Sequence, residues 1–300
     1  MDRTQYKCCR QGANLLRRRR RHRKIRSSVI FSCSIIAVAV FVIVGSRIIT
    51  SGDGGTNKYD VEAGNNTYDN ADIENTKISE KNKIQNNQSM LDDIMNSTQY
   101  PKQLQELALK NEEALEFVYD YPTEHVKEHT IDLTEEASMD SVPLFVQWDK
   151  RWGYEKYSGN FFAASGCGPT TLSMVVVYLT HNRDASPLAV AKYSKEAGYS
   201  VDGSGSSWTL ISEGCRHYGV KAKTVALDES KMKAELDAGH PIVVNVGPGD
   251  FTDTGHFMVI TGYDDEGFSI NDPNSIEKSG KRWLFKNISS QIRAVWSMYV

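Results

Sequence analysis

The sequence predicts an α+β fold in which one buried helix, carrying a cysteine at its start, packs on an antiparallel sheet. Two observations carry that expectation. After Gly166-Cys167-Gly168-Pro169 comes the run Leu172, Met174, Val175, Val176, Val177, Tyr178, Leu179, which reads as a buried helix beginning near Pro169, since proline suits a first helical turn. Further on, Pro241–Val246 and Phe257–Tyr263 are rich in β-branched and aromatic residues, and Gly267–Ile270 comes soon enough after the second of them to form a hairpin with it.

The chain has 300 residues with 40% hydrophobic content, and its mean hydropathy of -0.46 implies that part of it lies outside any core. The net charge of -3 conceals an asymmetry. Residues 1 to 49 hold 12 of the 35 Lys and Arg with Asp2 as their only acid, so the remainder carries 23 basic against 37 acidic residues, a net -14. A body that acidic argues against nucleic acid as a partner.

An adjoining apolar segment accounts for the basic block. Ser28 to Thr50 is apolar for some twenty residues, which at about 1.5 Å per residue matches a hydrocarbon core of about 30 Å. We therefore expect a basic cytoplasmic tail at 1–27 and a transmembrane signal anchor at 28–50, with everything beyond on the outer side of the membrane by the positive-inside rule. The competing reading is a cleaved signal peptide, with Val44-Gly45-Ser46 as a weak small-residue site.

Residues 51–98 are rich in Asn, Asp, Gly and Ser without a sustained period, and read as a flexible polar linker. At 99–140 a helical preamble is expected, because Leu104, Leu107, Ala108, Leu115 and Val118 recur at helical spacing between Pro101 and Pro122. Short helices are marginal in water, so these should pack on the domain at 141–300. That domain opens with Val142-Pro143-Leu144-Phe145-Val146, a short β-type run leading to Gln147.

Cysteine chemistry needs a thiolate, a base, a group that orients the base, and donors for the oxyanion. Cys167 at a helix N-terminus has the macrodipole to favour its thiolate, although a small buried cysteine in a tight loop is the alternative. Of seven histidines, His256 opens a β-prone run and is placed to face a cleft; a structural histidine is its alternative. The hairpin would return Asp272, in Asn271-Asp272-Pro273-Asn274, alongside His256, while Asp250 and Asp253 are rival orienting groups. Gln147 completes the set as an amide beside the Cys167 backbone N–H. No metal or cofactor is called for, and with only Cys167 and Cys215 in the outer domain there is no disulfide framework.

The runs VPLFVQWDKRWGY, SGCGPTTLSM, GHFMVITGYDD and NDPNS resemble the C39-like cysteine peptidases, and the resemblance extends over about 200 residues from Tyr100. It implies a papain-like fold with Cys167 as nucleophile, His256 as general base, Asp272 as the group orienting that histidine and Gln147 as an oxyanion-hole donor. In the exporter-linked members of that family the glutamine stands a few residues before the cysteine; here Gln147 is 20 residues ahead, so the segment between them must fold back. Those members are also fused to an ATPase, and this chain has no G-x-x-x-x-G-K-[ST] motif. The expected substrate is therefore a peptide or protein outside the membrane, with cell-wall peptide as a second enzyme reading and a catalytically silent binding module as the non-enzymatic one.

Overall fold

The computed structural model describes residues 70–300. The tail at 1–27, the anchor at 28–50 and the first part of the 51–98 segment lie outside the described residues. Among the described residues no helix is long and apolar enough to cross a membrane.

The molecule combines helices with an antiparallel sheet. Its sheet has six strands: β1 (Lys221–Thr224), β2 (Ile242–Val246), β3 (His256–Asp264), β4 (Gly267–Asn271), β5 (Arg282–Trp283) and β6 (Ile292–Tyr299). Their order is β1-β6-β2-β3-β4-β5, with every neighbouring pair antiparallel. Both faces of the centre are covered. Val243, Phe257, Val259, Trp296 and Met298 join the helical layer, while Ile242, Val244, Met258 and Ile260 enter a second core with Met232. The alternation is the period-2 signature of a strand, and burial on both faces explains why β2 reads as a continuous apolar run.

N-terminal to the sheet lie α1 (Asn70–Asn96), α2 (Lys102–Lys110), α3 (Leu115–Tyr119), α4 (Phe162–Ser165) and α5 (Cys167–Thr180). Helix α5 is buried on every side from Gly168 to Val177, packed between β3 and the helix Pro187–Glu196. That explains an apolar run with no polar face. It ends at His181, whose left-handed backbone (φ 55°) closes the last turn through its N–H on the Val177 carbonyl.

Two expectations need correction. Residues 70–96, within the segment read as a flexible linker, form a helix. Its apolar residues are too sparse to show a stripe; only the last turns dock, with Ile94 fully buried and Met90 and Leu91 packed beside Leu104, Leu115 and Val118. Val142–Val146 is extended but joins no strand ladder: Pro143 has no N–H to contribute, and the Val142 and Pro143 carbonyls accept instead from the Asn271 side chain. The segment 208–218 forms two short turns, Thr209–Ser212 and Gly214–Tyr218.

The helices between residues 102 and 119 pack on the domain. Leu104, Leu107, Ala114, Leu115, Phe117 and Val118 form one core with Phe161 and Ala163, so the helices before the domain are continuous with the segment that leads into α5.

Candidate active site

Helix α5 begins two residues before the proline that announces it, so Cys167 is its first residue and Gly166 its N-cap. The thiol therefore sits among the unpaired N–H groups of a helix start. The flanking glycines are dictated by packing rather than by unusual dihedrals. A Cβ at Gly166 would lie 2.5–2.7 Å from the Phe162 ring, and one at Gly168 would lie 2.7 Å from Ser206 Cβ and press on its hydroxyl. Neither glycine has a positive φ, so close approach rather than a left-handed backbone requires them.

His256 is the first residue of β3 and is buried. Its Nε2 lies 2.7 Å from Oδ1 of Asp272, which is completely buried. That leaves Nδ1 as the ring nitrogen free for the thiol, and Cys167 and His256 each shift the pKa of the other. Asp272 comes directly after β4, and pairing of β3 with β4 brings it beside the histidine across a hairpin. Asp250 is excluded as its rival, since its carboxylate takes the Gln291 amide at 2.6 Å.

Burial opposes charge on both Cys167 and His256, yet the pair is driven toward thiolate and imidazolium. For His256, the Asp272 carboxylate and then the Cys167 sulfur more than offset desolvation and push its pKa up to about 10. For Cys167, burial raises the pKa, but the His256 hydrogen bond and charge, together with the Phe257 and Gly168 N–H groups, bring it below the ordinary thiol value. Cys215 shows the opposite case: fully buried with no such partner, it is pushed up to about 11 by desolvation. The two thiols thus differ in kind.

Gln147 is buried, and the 20-residue insert does fold back around it. Trp152 Nε1 donates to the Val146 carbonyl (2.8 Å), and the Ala163 N–H to Gly153 (3.0 Å). The Gln147 backbone N–H donates to Pro273 at 2.7 Å and its Nε2 to the Ala163 carbonyl at 2.7 Å. Gln147 thus ties the loop after Asp272 to the turn before Cys167, and it is not among the residues lining the cleft.

That cleft, about 650 Å³, is lined by Cys167 together with Ser206, Trp208, Asn245, Thr254 and Arg293, the last being its only charged side chain among the described residues. Also among the described residues, no group of three or more His, Cys, Asp or Glu could hold a metal ion.

The family is decided by a match of the whole sheet-bearing domain. The sequence model of the Peptidase_C39 like family matches residues 139–300. The chain belongs to that family. Among solved structures, the C39-like chain is similar to the peptidase domain of Streptococcus ComA, described as a bi-functional ABC transporter involved in a quorum sensing pathway. There the identity is 19%, covering 45% of this chain and 90% of that one, at a TM-score of 0.36. It is also similar to a putative C39-like peptidase from Bacillus anthracis, with 16% identity over 53% of this chain and 95% of that one, at a TM-score of 0.34. No curated protein matches. Membership in the C39-like family suggests a cysteine peptidase.

Sequence reasoning missed the residues that hold the loop after Asp272: Asn111, Glu113 and Asn271. Asn271 is visible as a neighbour of Asp272; Asn111 and Glu113 lie some 160 positions away in the chain, beyond any local pattern.

Proposed function

We propose that this C39-like chain is a cysteine peptidase with a papain-like Cys167–His256–Asp272 triad, anchored by residues 28–50 with its domain outside the cytoplasmic membrane. The observation that carries the reading is the buried 2.7 Å contact of His256 Nε2 with Asp272, which leaves the other ring nitrogen available to the thiol at the start of α5.

The Cys167 thiolate adds to the carbonyl carbon of a peptide bond, and the negative charge passes to the carbonyl oxygen. The Cys167 backbone N–H is the proposed donor to that oxygen. His256 then gives its proton to the leaving nitrogen, the C–N bond breaks, and an acyl thioester remains on Cys167. A water molecule, deprotonated by His256, attacks the thioester; the acid product leaves and the thiolate–imidazolium pair returns. Asp272 orients the ring and stabilises its cation.

The test uses iodoacetamide at about pH 6, where an ordinary thiol is almost wholly protonated. Cys167, with its pKa lowered and that of His256 raised, should alkylate in wild type at least about tenfold faster than Cys215. His256→Ala should lower the Cys167 rate at this pH by at least about tenfold. A Cys167 rate unchanged by that substitution would leave the silent binding module as the better reading.

A further inference from the structure

The turn that carries Asp272 is held from outside the family-matched domain. Glu113 stands between α2 and α3, upstream of residue 139 where the family match begins. Its Oε2 accepts the backbone N–H groups of Ile276 (2.7 Å) and Glu277 (3.1 Å), and its Oε1 accepts the Ser275 hydroxyl. Two residues earlier, Asn111 Nδ2 donates to the Asn274 carbonyl (2.9 Å) and to Asn274 Oδ1 (3.1 Å), while Asn111 Oδ1 accepts the Glu113 N–H (3.0 Å). The Asn274 N–H in turn donates at 2.8 Å to Asp272 Oδ1, the oxygen that faces His256.

We propose that Glu113, with Asn111, is a positioning residue for the active site, clamping the 272–277 turn so that Asp272 meets His256. Glu113 has no Lys, Arg or His within salt-bridge distance among the described residues. Its carboxylate is satisfied there by that turn, through charge-assisted bonds stronger than neutral ones. Its own backbone is rigid, because the adjacent Ala114, Leu115, Phe117 and Val118 are buried against Phe161 and Ala163 in the lead-in to α5. One segment therefore holds the acid on one side and the approach to the nucleophile on the other. A misplacement of the orienting group by a fraction of an ångström weakens its bond to the imidazolium, as with outer partners of metal-bound histidines. The helical preamble is on this account part of the catalytic machinery rather than a spacer.

The inference rests on the triad of the proposed function, and the test separates the two. The alkylation rate of Cys167 in the full chain is measured against pH for wild type, Asp272→Asn, Glu113→Ala and Glu113→Gln. Loosening the His256–Asp272 contact destabilises the imidazolium and moves the rise in rate to higher pH. Glu113→Ala should lower the rate at about pH 6 by roughly tenfold, the equivalent of about one pKa unit. Glu113→Gln, which keeps one acceptor oxygen for the Ile276 and Glu277 N–H groups and can donate its amide to the Ser275 hydroxyl, should recover most of it. If Asp272→Asn shifts the profile and Glu113→Ala does not, the clamp is overturned and the triad stands. If neither shifts it, both are overturned. Cys215 reports folding, since it labels only when its core opens; should Glu113→Ala expose it, Asn111→Ala and Ser275→Ala are read in the same way, and an unchanged profile in both overturns the clamp.

Discussion

Gly168 shows how tightly the nucleophile is packed. Its missing Cβ is the space that Ser206 occupies, and Ser206 is in turn hydrogen-bonded at 2.6 Å to the buried Tyr157 hydroxyl, which also meets Ser194 at 2.8 Å. Ser206 therefore has little room to give. Gly168→Ala is expected to cost about 1–3 kcal/mol by overpacking, read as a lower denaturant midpoint, and to slow alkylation of Cys167 by displacing the start of α5. Adding Ser206→Gly should restore both readouts, whereas adding Ser206→Ala should not, because the clash includes Ser206 Cβ at 2.7 Å. At this scale the sequence announces the candidate site. Cys167, His256 and Asp272 are legible because each sits at the edge of an element whose period is visible locally. Gln147 is legible only as a candidate, since its role depends on how the insert folds, and it is observed bonding to Ala163 and Pro273.

Among the elements, α1 and α2 differ in what they contribute. Residues 78–86 of α1 are exposed, and further along polar side chains bond along the helix, as in Gln88 Nε2 to Asp92 Oδ1 at 2.8 Å. Its final turn buries Ile94 completely against Leu104, which is itself completely buried. Leu104→Ala should destabilise the domain by about 2–5 kcal/mol through the transfer and cavity terms, whereas Ile84→Ala, at a residue 68% exposed, should change it by less than about 0.5 kcal/mol. Chemical denaturation of the two variants checks this; equal effects would mean that α1 packs along its whole length. The helix escapes sequence reading for the same physical reason: a segment that docks by one turn has no repeating stripe, and its Asn-rich composition favours turns. By contrast α5 and β2 are legible because burial on all sides leaves a long apolar run.

At the scale of the whole molecule, the basic lead and the apolar run of residues 28–50 predict that the C-terminal domain is displayed outside. Protease added to intact cells should digest a tag placed after Val300 and spare one placed before Met1; the reverse protection would overturn the topology. The purified full chain, incubated with a peptide library and with peptidoglycan, should cleave the former, and cleavage of peptidoglycan alone would move the substrate to cell-wall peptide.

Read alone, the sequence determined the α+β class, the helix behind Cys167, the three central strands β2, β3 and β4, and the acidic character of the body, because burial on a repeating face and net charge are properties of consecutive residues. The tertiary structure alone decided that Asp272 rather than Asp250 meets His256, that residues 70–96 are a helix, and that Glu113 reaches the turn after Asp272. These depend on partners up to 164 positions apart in the chain. Local pattern encodes which face is buried; only the assembled fold determines which polar atoms, once buried, find each other.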